Sequence, residues 1–377
     1  MRRATKGCGC AVAVVALVVG VAVYFGKDFA VNWWKTKPPP PSGGELQVHI
    51  LDVGPINGDS ILIISPAGKT VLIDAGDAGK GKVVLDALKR YNVQQLDYFI
   101  ATHPHPDHMG AADELMKVTK VLNVIDNGLA PPGWQPTPTP PAKVLSNRKP
   151  VAKKPDKKAS ITRFYEEYKE AVSQGGAHYE KAEPGKKFDL GGGALLTILA
   201  PSQPFFTKEQ MKAGGNEPNA NSVVARLDYG DFSMLLPGDA EQQTEHRMLT
   251  KDLNLQMDIL KVSHHGSKYA TAADFLERVK PAVAIVSCGE WNRYGHPAQV
   301  VLDLLKTAGV KLYRTDLQGE ITITTRGKEN DYKITTAKEA KSDLWVGRLA
   351  QKDDSSRAGF IAYGDFGPPP KKNVNRK

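Results

Sequence analysis

Cysteine is scarce in this sequence, which has three among 377 residues. Cys8 and Cys10 lie near the amino terminus, and Cys288 stands alone in the apolar run 284–288. Three cysteines placed in this way do not make a disulfide framework, which excludes a scaffold stabilised by several disulfides. We expect Cys288 to be a buried thiol of the core.

Long apolar stretches are also few, and residues 8–25 form one that could span a bilayer, which takes roughly 20 residues. The basic residues Arg2, Arg3 and Lys6 precede it. No small-x-small cleavage site follows the run directly, which favours an uncleaved anchor over a cleaved signal peptide, although both readings stay open. We expect a single-pass anchor with the amino terminus inside and the rest of the chain outside the cytoplasm.

Composition divides the chain into segments. The predicted segments are an anchor (1–26), a proline- and glycine-rich linker (27–45), a folded domain (46–336) and a basic tail (337–377). Within the domain, residues 129–160 form an insertion that is rich first in proline and then in lysine and arginine. The insertion is predicted to be either a flexible arm for phosphate backbones or a loop that only improves solubility.

The chain has a formal net charge of +9 and a pI of about 9.2. Such a balance favours anionic partners, of which nucleic acid and an acidic membrane surface are the main classes. Well-solvated lysines with no partner would give the same composition. No protein partner can be inferred from the sequence.

Potential metal ligands are concentrated in the stretch 102–110. His103, His105, Asp107 and His108 follow an apolar run that predicts a buried strand, and a predicted helix comes after them. Alternate residues of an extended loop point the same way, so His103 and His105 can share one metal ion. Asp107 and His108 can face a second ion, and two ions about 3.5–4 Å apart can assist a displacement reaction.

This His-x-His-x-Asp-His pattern resembles the signature of the metallo-β-lactamase superfamily of hydrolases. The resemblance implies an α+β fold, a four-layer αβ/βα sandwich with the metal ions at one sheet edge. It also implies two divalent ions, Zn²⁺ or Mn²⁺, which would lower the pKa of a water molecule so that it can attack as hydroxide. Asp107 is then a candidate catalytic residue as well as a ligand.

Further motifs are similar to the hydrolase domain of ComEC-type competence (DNA-uptake) proteins. These are Leu-Asp-Val-Gly, Gly-Asp-Ser-Ile-Leu-Ile and Leu-Ile-Asp-Ala-Gly between residues 51 and 76, and the similarity extends over about 46–326. It implies that Asp74 supports the metal loop, that Asp239 bridges the ions and that His265 is the last ligand. His264 is then its neighbour in the pocket, although the two histidines could be reversed. The loop before Asp59 is longer than the family pattern, so no role is expected for Asp59.

Histidine is missing between His178 and His246, where many superfamily members have a ligand. Asn219 and Asn221 occupy this stretch, as in the ComEC-type group, so the site of His103 and His105 is expected to be weaker or to prefer a harder ion. A second ComEC-like run, 292–297, makes His296 a candidate for donating a hydrogen bond to the scissile group or for protonating a leaving oxygen, and it makes Tyr294 a pocket residue. A simple turn before a helix is the alternative reading of His296.

The resemblance implies a membrane-anchored metallohydrolase that cleaves phosphodiester bonds, with single-stranded DNA as a possible substrate. A hydrolase of a small ester or a phosphocholine-like group is one alternative, because the superfamily varies its substrates through loops. A surface binding module without catalysis is another. No channel-forming membrane domain is evident, so DNA transport itself is not expected.

Overall fold

The structure, a computed structural model, describes residues 44–135, 157–211 and 216–348, and for 157–161 the backbone alone. The predicted anchor, most of the linker, residues 136–156 of the insertion and residues 349–377 of the tail lie outside this description. Within the three described ranges, no helix is both long and apolar enough to cross a membrane.

The described ranges contain fifteen strands and nine α-helices. The strands are β1 Leu46–Ile50, β2 Ile61–Ile64, β3 Thr70–Ile73, β4 Gln95–Ala101, β5 Lys120–Asp126, β6 His178–Lys181, β7 Lys187–Gly191, β8 Ala194–Ala200, β9 Val224–Tyr229, β10 Phe232–Leu236, β11 Ile259–Lys261, β12 Val283–Val286, β13 Lys311–Arg314, β14 Ile321–Thr325 and β15 Lys333–Thr336. The helices are α1 Gly81–Arg90, α2 Pro106–Met109, α3 Ala112–Val118, α4 Lys157–Gly175, α5 Glu217–Ala220, α6 Gln242–Leu249, α7 Ala273–Val279, α8 Gln299–Thr307 and α9 Thr315–Gln318. Short 3₁₀ turns cover Lys208–Gln210 and Ser263–Gly266.

The strands form two mixed sheets. The first has the order β15-β14-β1-β2-β3-β4-β5-β6, and the second has the order β13-β12-β11-β10-β9-β8-β7. Each sheet contains a parallel block, β3 to β6 in the first and β10 to β13 in the second. Parallel strands need crossover connections, and helices provide most of them here.

Alternation of apolar residues along the strands creates the layers. In β2, Ile61 and Ile63 point into the core between the sheets, while Leu62 and Ile64 point outward to a second core. That second core is covered by α1, α3 and α4, and a third core lies between the second sheet and α6, α7 and α8. The predicted αβ/βα sandwich is therefore confirmed, and Cys288 is buried as expected.

Two local predictions need correction. The metal loop is not all loop, because Pro106–Met109 forms one helical turn that carries Asp107 and His108. Proline suits this position, since the first turn of a helix leaves its N–H groups without intrahelical partners. The predicted insertion 129–160 also includes the first turn of α4, because this helix begins at Lys157.

The first residues of the predicted tail pack against the domain. Arg314 is fully buried and donates from Nη1 to the carbonyl oxygens of Leu344 and Val346, at 2.7 Å each. Arg348 pairs with Asp316 at 2.8 Å. Residues of the predicted tail up to 348 therefore contact the folded domain.

Candidate metal centre

The candidate ligands lie where parallel strands end. Asp74 follows β3, the 103–108 segment follows β4, Asp239 comes three residues after β10, and His264 and His265 follow β11. The carboxyl ends of neighbouring parallel strands meet at one edge of a sheet, which is where α/β proteins place their ligands. Here the edges of both sheets meet, so residues distant in sequence come together.

Gly238 allows the two edges to approach closely. Its φ of +56° lies in the left-handed region, and a Cβ built there would lie 2.9 Å from Cβ of Thr102. Its carbonyl oxygen accepts a hydrogen bond from the amide of His264 at 3.1 Å. A side chain at this position would push Asp239 away from the 102–108 segment.

Asp74 orients the 102–108 segment. Its carboxylate accepts hydrogen bonds from the amide and from the hydroxyl of Thr102, both at 2.8 Å. One oxygen, Oδ2, also accepts from Nδ1 of His108 at 2.7 Å. Because Nδ1 of His108 carries the proton, its Nε2 faces the centre as a potential ligand, and Asp74 acts as a support.

His265 is fixed in the same way from the second sheet. Its Nδ1 donates to the carbonyl oxygen of Ser287 at 2.8 Å, so Nε2 points inward. His264 and His265 both have positive φ values, 48° and 54°, which turn consecutive side chains toward one centre. Such values cost conformational energy in non-glycine residues and are concentrated at functional sites.

Four histidines surround a single carboxylate oxygen, Oδ2 of Asp239. The distances from this oxygen are 3.3 Å to His108 Nε2, 3.5 Å to His265 Nε2, 3.7 Å to His264 Nε2 and 3.9 Å to His103 Nε2. Nε2 of His103 lies 2.9 Å from Nδ1 of His105, so the fifth imidazole joins the cluster. The other oxygen of Asp239 is buried without a hydrogen-bond partner among the described residues.

This arrangement requires positive charge at its centre. The Nε2 atoms of His108 and His265 lie 3.3 Å apart, and as neutral imidazoles both would present lone pairs there. Burial lowers the pKa of His265, but Asp239 and Asp59 more than reverse this and raise it to about 10. The pKa of Asp107 is held well below its usual range, because His265 and His108 outweigh its burial. Protons and metal ions compete for such sites, so the residues fit a divalent cation.

The described residues form four overlapping groups of potential ligands, and two of these combine the 103–108 segment with Asp239 or His265. His103, His108 and Asp239 form one group, and Asp107, His108 and His265 form another. Within each group the potential ligand atoms lie within 4.8 Å of one another. Asp107, whose side chain is 24% exposed, is the most accessible of these ligands.

Asn219 lies beside His264, where many superfamily members would have a histidine. Its Nδ2 is 3.1 Å from Nε2 of His264, and its Oδ1 is buried without a partner in the described part of the chain. Glu241 lies behind them and accepts from the amide of Asn216 at 3.1 Å. Burial raises the pKa of Glu241 to about 7. Asn221 is not part of this centre, because its side chain binds the backbone of Phe206 and Glu217.

Asp59 and Lys261 belong to the centre although the sequence reading gave neither a role. Lys261 is fully buried and donates from Nζ to Oδ2 of Asp59. Oδ1 of Asp59 lies 3.4 Å from Nδ1 of His265, and Asp59, Asp239 and His265 form another potential ligand group. The sequence does contain a signal for the role of Lys261, because it is a lysine inside the otherwise apolar strand β11, two residues before Ser263.

His296 and Tyr294 lie at the rim of the centre. The ring centroid of His296 is 5.4 Å from that of His264 and 6.3 Å from that of His265. Burial, helped by the charges of His264 and His265, lowers the pKa of His296 to about 3. A neutral His296 can donate a hydrogen bond to the substrate, which is one of the two roles considered for it from the sequence.

Comparison with known proteins agrees with this geometry. A family model described as "Metallo-beta-lactamase superfamily" matches residues 53–196. ComE operon protein 3 of Bacillus subtilis is 29% identical over 75% of this chain and 33% of its own length. Recombination protein 2 of Haemophilus influenzae is 27% identical over 74% of this chain and 28% of its own length. The chain therefore spans about a third of the length of the curated relatives it matches.

Among solved structures, the metallo-β-lactamase fold protein YhfI of Bacillus subtilis aligns with a TM-score of 0.41 and 12% identity. The alignment covers 71% of this chain and 95% of YhfI. The family assignment depends on the sequence matches, which include the ligand motif of residues 103–108. The sequence matches therefore identify a metallo-β-lactamase superfamily domain in this chain, related at 29% identity to ComE operon protein 3.

Proposed function

We propose that this protein is a metal-dependent hydrolase that cleaves phosphodiester bonds in single-stranded nucleic acid. The observation that carries the proposal is the convergence of four imidazoles on Oδ2 of Asp239. His103, His105, Asp107, His108, Asp239 and His265 would hold Zn²⁺ or Mn²⁺. When bound there, two such ions supply Lewis acidity and a nucleophile derived from water.

The protein's own residues orient the potential ligands and contact the substrate. Asp74 and the carbonyl oxygen of Ser287 fix the rings of His108 and His265, so these ligands are already oriented. Asp107 is ionised and partly exposed, so Oδ2 can accept a hydrogen bond from a water or hydroxyl group beside it and orient that group. His296 can hydrogen-bond a substrate oxygen through Nδ1, which has no partner among the described residues.

Three features support nucleic acid as the substrate class. One matched relative is named Recombination protein 2, and recombination is a nucleic-acid process. The net charge of +9 favours polyanions. The segment 143–158 contains seven lysines and arginines with Asp156 as its one acidic residue. A small neutral ester would gain nothing from this charge.

The basic insertion gives a test of the substrate. Deletion of residues 143–156, which spares α4, is expected to weaken binding of oligothymidylate and to flatten its salt dependence by about 0.7 per lost phosphate contact. Hydrolysis of bis(nitrophenyl) phosphate should not change, because the segment contributes no ligand. Fluorescence anisotropy over a salt series measures the first effect and a colorimetric assay the second.

Different results would point elsewhere. If the deletion leaves affinity and salt slope unchanged, the insertion only improves solubility. If the full chain with Zn²⁺ or Mn²⁺ hydrolyses nitrophenyl acetate but neither phosphodiester, a small-ester hydrolase is the better description. Metal content equal to that of a buffer blank would leave only a binding module.

We also propose that residues 8–25 stay attached and hold the hydrolase domain outside the cytoplasm. The support is the length of the apolar run and the lack of a cleavage site directly after it. Amino-terminal sequencing of protein from the membrane fraction should therefore find the original terminus. A mature terminus beyond Phe25 would contradict the anchor.

A further inference from the structure

A tight loop at residues 289–296 presents two side chains at the rim of the metal centre. Asn292 is buried and closes this loop, because its Nδ2 donates to the carbonyl oxygens of Gly289 at 2.8 Å and His296 at 2.7 Å. Its Oδ1 accepts from the amide of His296 at 2.8 Å. Gly295, with a φ of +75°, completes the turn. The loop tip, Arg293 and Tyr294, is thus held outward on a fixed base.

Arg293 and Tyr294 interact with each other. Nη2 of Arg293 donates to the hydroxyl oxygen of Tyr294 at 3.0 Å, and the guanidinium carbon lies 5.0 Å from the centre of the tyrosine ring. Tyr294 is 51% exposed, although Asn292 and His296 on either side of it are buried. Because its oxygen already accepts from Arg293, its own proton is available for an outside acceptor.

The ring of His296 lies between the Arg293–Tyr294 pair and the ligand cluster. The Tyr294 ring stacks on His296 with centroids 5.7 Å apart and an interplanar angle of 21°. His296 in turn lies beside His264 and His265. The Arg293 guanidinium places a positive charge at the rim, where it attracts an anionic substrate that extends past His296.

We propose that Arg293 and Tyr294 form a subsite for a phosphate group adjacent to the one that is hydrolysed. The inference rests on the phosphodiesterase function proposed above and adds a preference for substrates with at least two phosphates. Guanidinium groups bind phosphate through several N–H donors, and the tyrosine hydroxyl adds one more. The subsite recognises the nucleic-acid backbone and is independent of base identity.

Binding of oligothymidylate to the full chain tests the subsite without turnover. Arg293→Ala should weaken binding about tenfold, as expected for loss of a charged hydrogen bond, and lower the salt slope by about 0.7. Tyr294→Phe should have a smaller effect in the same direction. Arg326→Ala is the matched control, since this exposed arginine follows β14 at the end away from the centre. Repeating the series without residues 143–156 removes any masking by the insertion.

Kinetics then separate this subsite from the reaction centre. Arg293→Ala should raise KM for oligothymidylate about tenfold while kcat, and all constants for bis(nitrophenyl) phosphate, stay unchanged. Equal weakening of binding by Arg293→Ala and Arg326→Ala, or no weakening by either, overturns the inference. It is also overturned if Arg293→Ala impairs hydrolysis of oligothymidylate and of bis(nitrophenyl) phosphate to the same extent. If binding depends on Arg293 but the wild-type chain cleaves neither phosphodiester, the hydrolase proposal fails and the subsite remains.

Discussion

Replacing Asp239 by asparagine is expected to remove bound metal and with it the hydrolytic activity. The change keeps the shape of the side chain but converts an anionic oxygen that lies 3.3–3.9 Å from four histidines into a neutral amide. Loss of a group that only supports a ligand typically costs 10- to 100-fold in metal affinity. For the central carboxylate we expect a loss of at least about 100-fold.

Titration with Zn²⁺ and Mn²⁺, followed by calorimetry and by metal analysis after dialysis, measures this loss directly. Asp126→Asn is the matched control, because Asp126 is also buried at the end of a parallel strand but binds the hydroxyls of Tyr168 and Tyr179. Asp107→Ala provides a contrast, since it should lose one ion and keep the other. Unchanged affinity in Asp239→Asn would show that Asp239 is not a ligand.

Part of this centre could be predicted from local sequence. Ligands that lie close together, such as His103, His105 and His108, form a pattern that is readable without knowledge of the fold. Asp239 and His265 could also be predicted from the sequence, because each follows an apolar strand that has a counterpart in related domains. The alternation of side chains along a strand likewise indicated the layers, since successive residues of β2 pack into two different cores.

Other features depend on how the two sheets meet and have no local signature. Asp59 and Lys261 are 202 residues apart in sequence, and their contact exists only after both sheets have packed. The orientation of the His265 ring depends on the hydrogen bond to Ser287, which belongs to another strand end. The length of the loop before Asp59 did not indicate whether Asp59 belongs to the centre. Its buried carboxylate contacts Lys261 of β11, which is distant in sequence.

The same long-range contact leads to the largest expected change in stability. Lys261 and Asp59 have side chains that are 0% and 2% exposed, and they form an ion pair. Removing one member of a buried pair leaves the other charge in a site without water, which typically costs about 3–5 kcal/mol. We therefore expect Lys261→Met to lower the free energy of unfolding by about that amount.

A double-mutant cycle isolates the cause. The change Asp59→Asn removes the remaining charge, so the double variant with Lys261→Met should be more stable than Lys261→Met alone, with a favourable coupling of about 1–3 kcal/mol. Denaturant unfolding of all four proteins, in the presence of chelator to exclude effects of metal binding, measures the coupling. Lys82→Met is the surface control, because the Lys82–Asp86 pair is exposed and should contribute less than about 1 kcal/mol. Additive losses from the two buried substitutions would mean that the lysine stabilises the fold through packing of its aliphatic chain and that the ion pair itself contributes little.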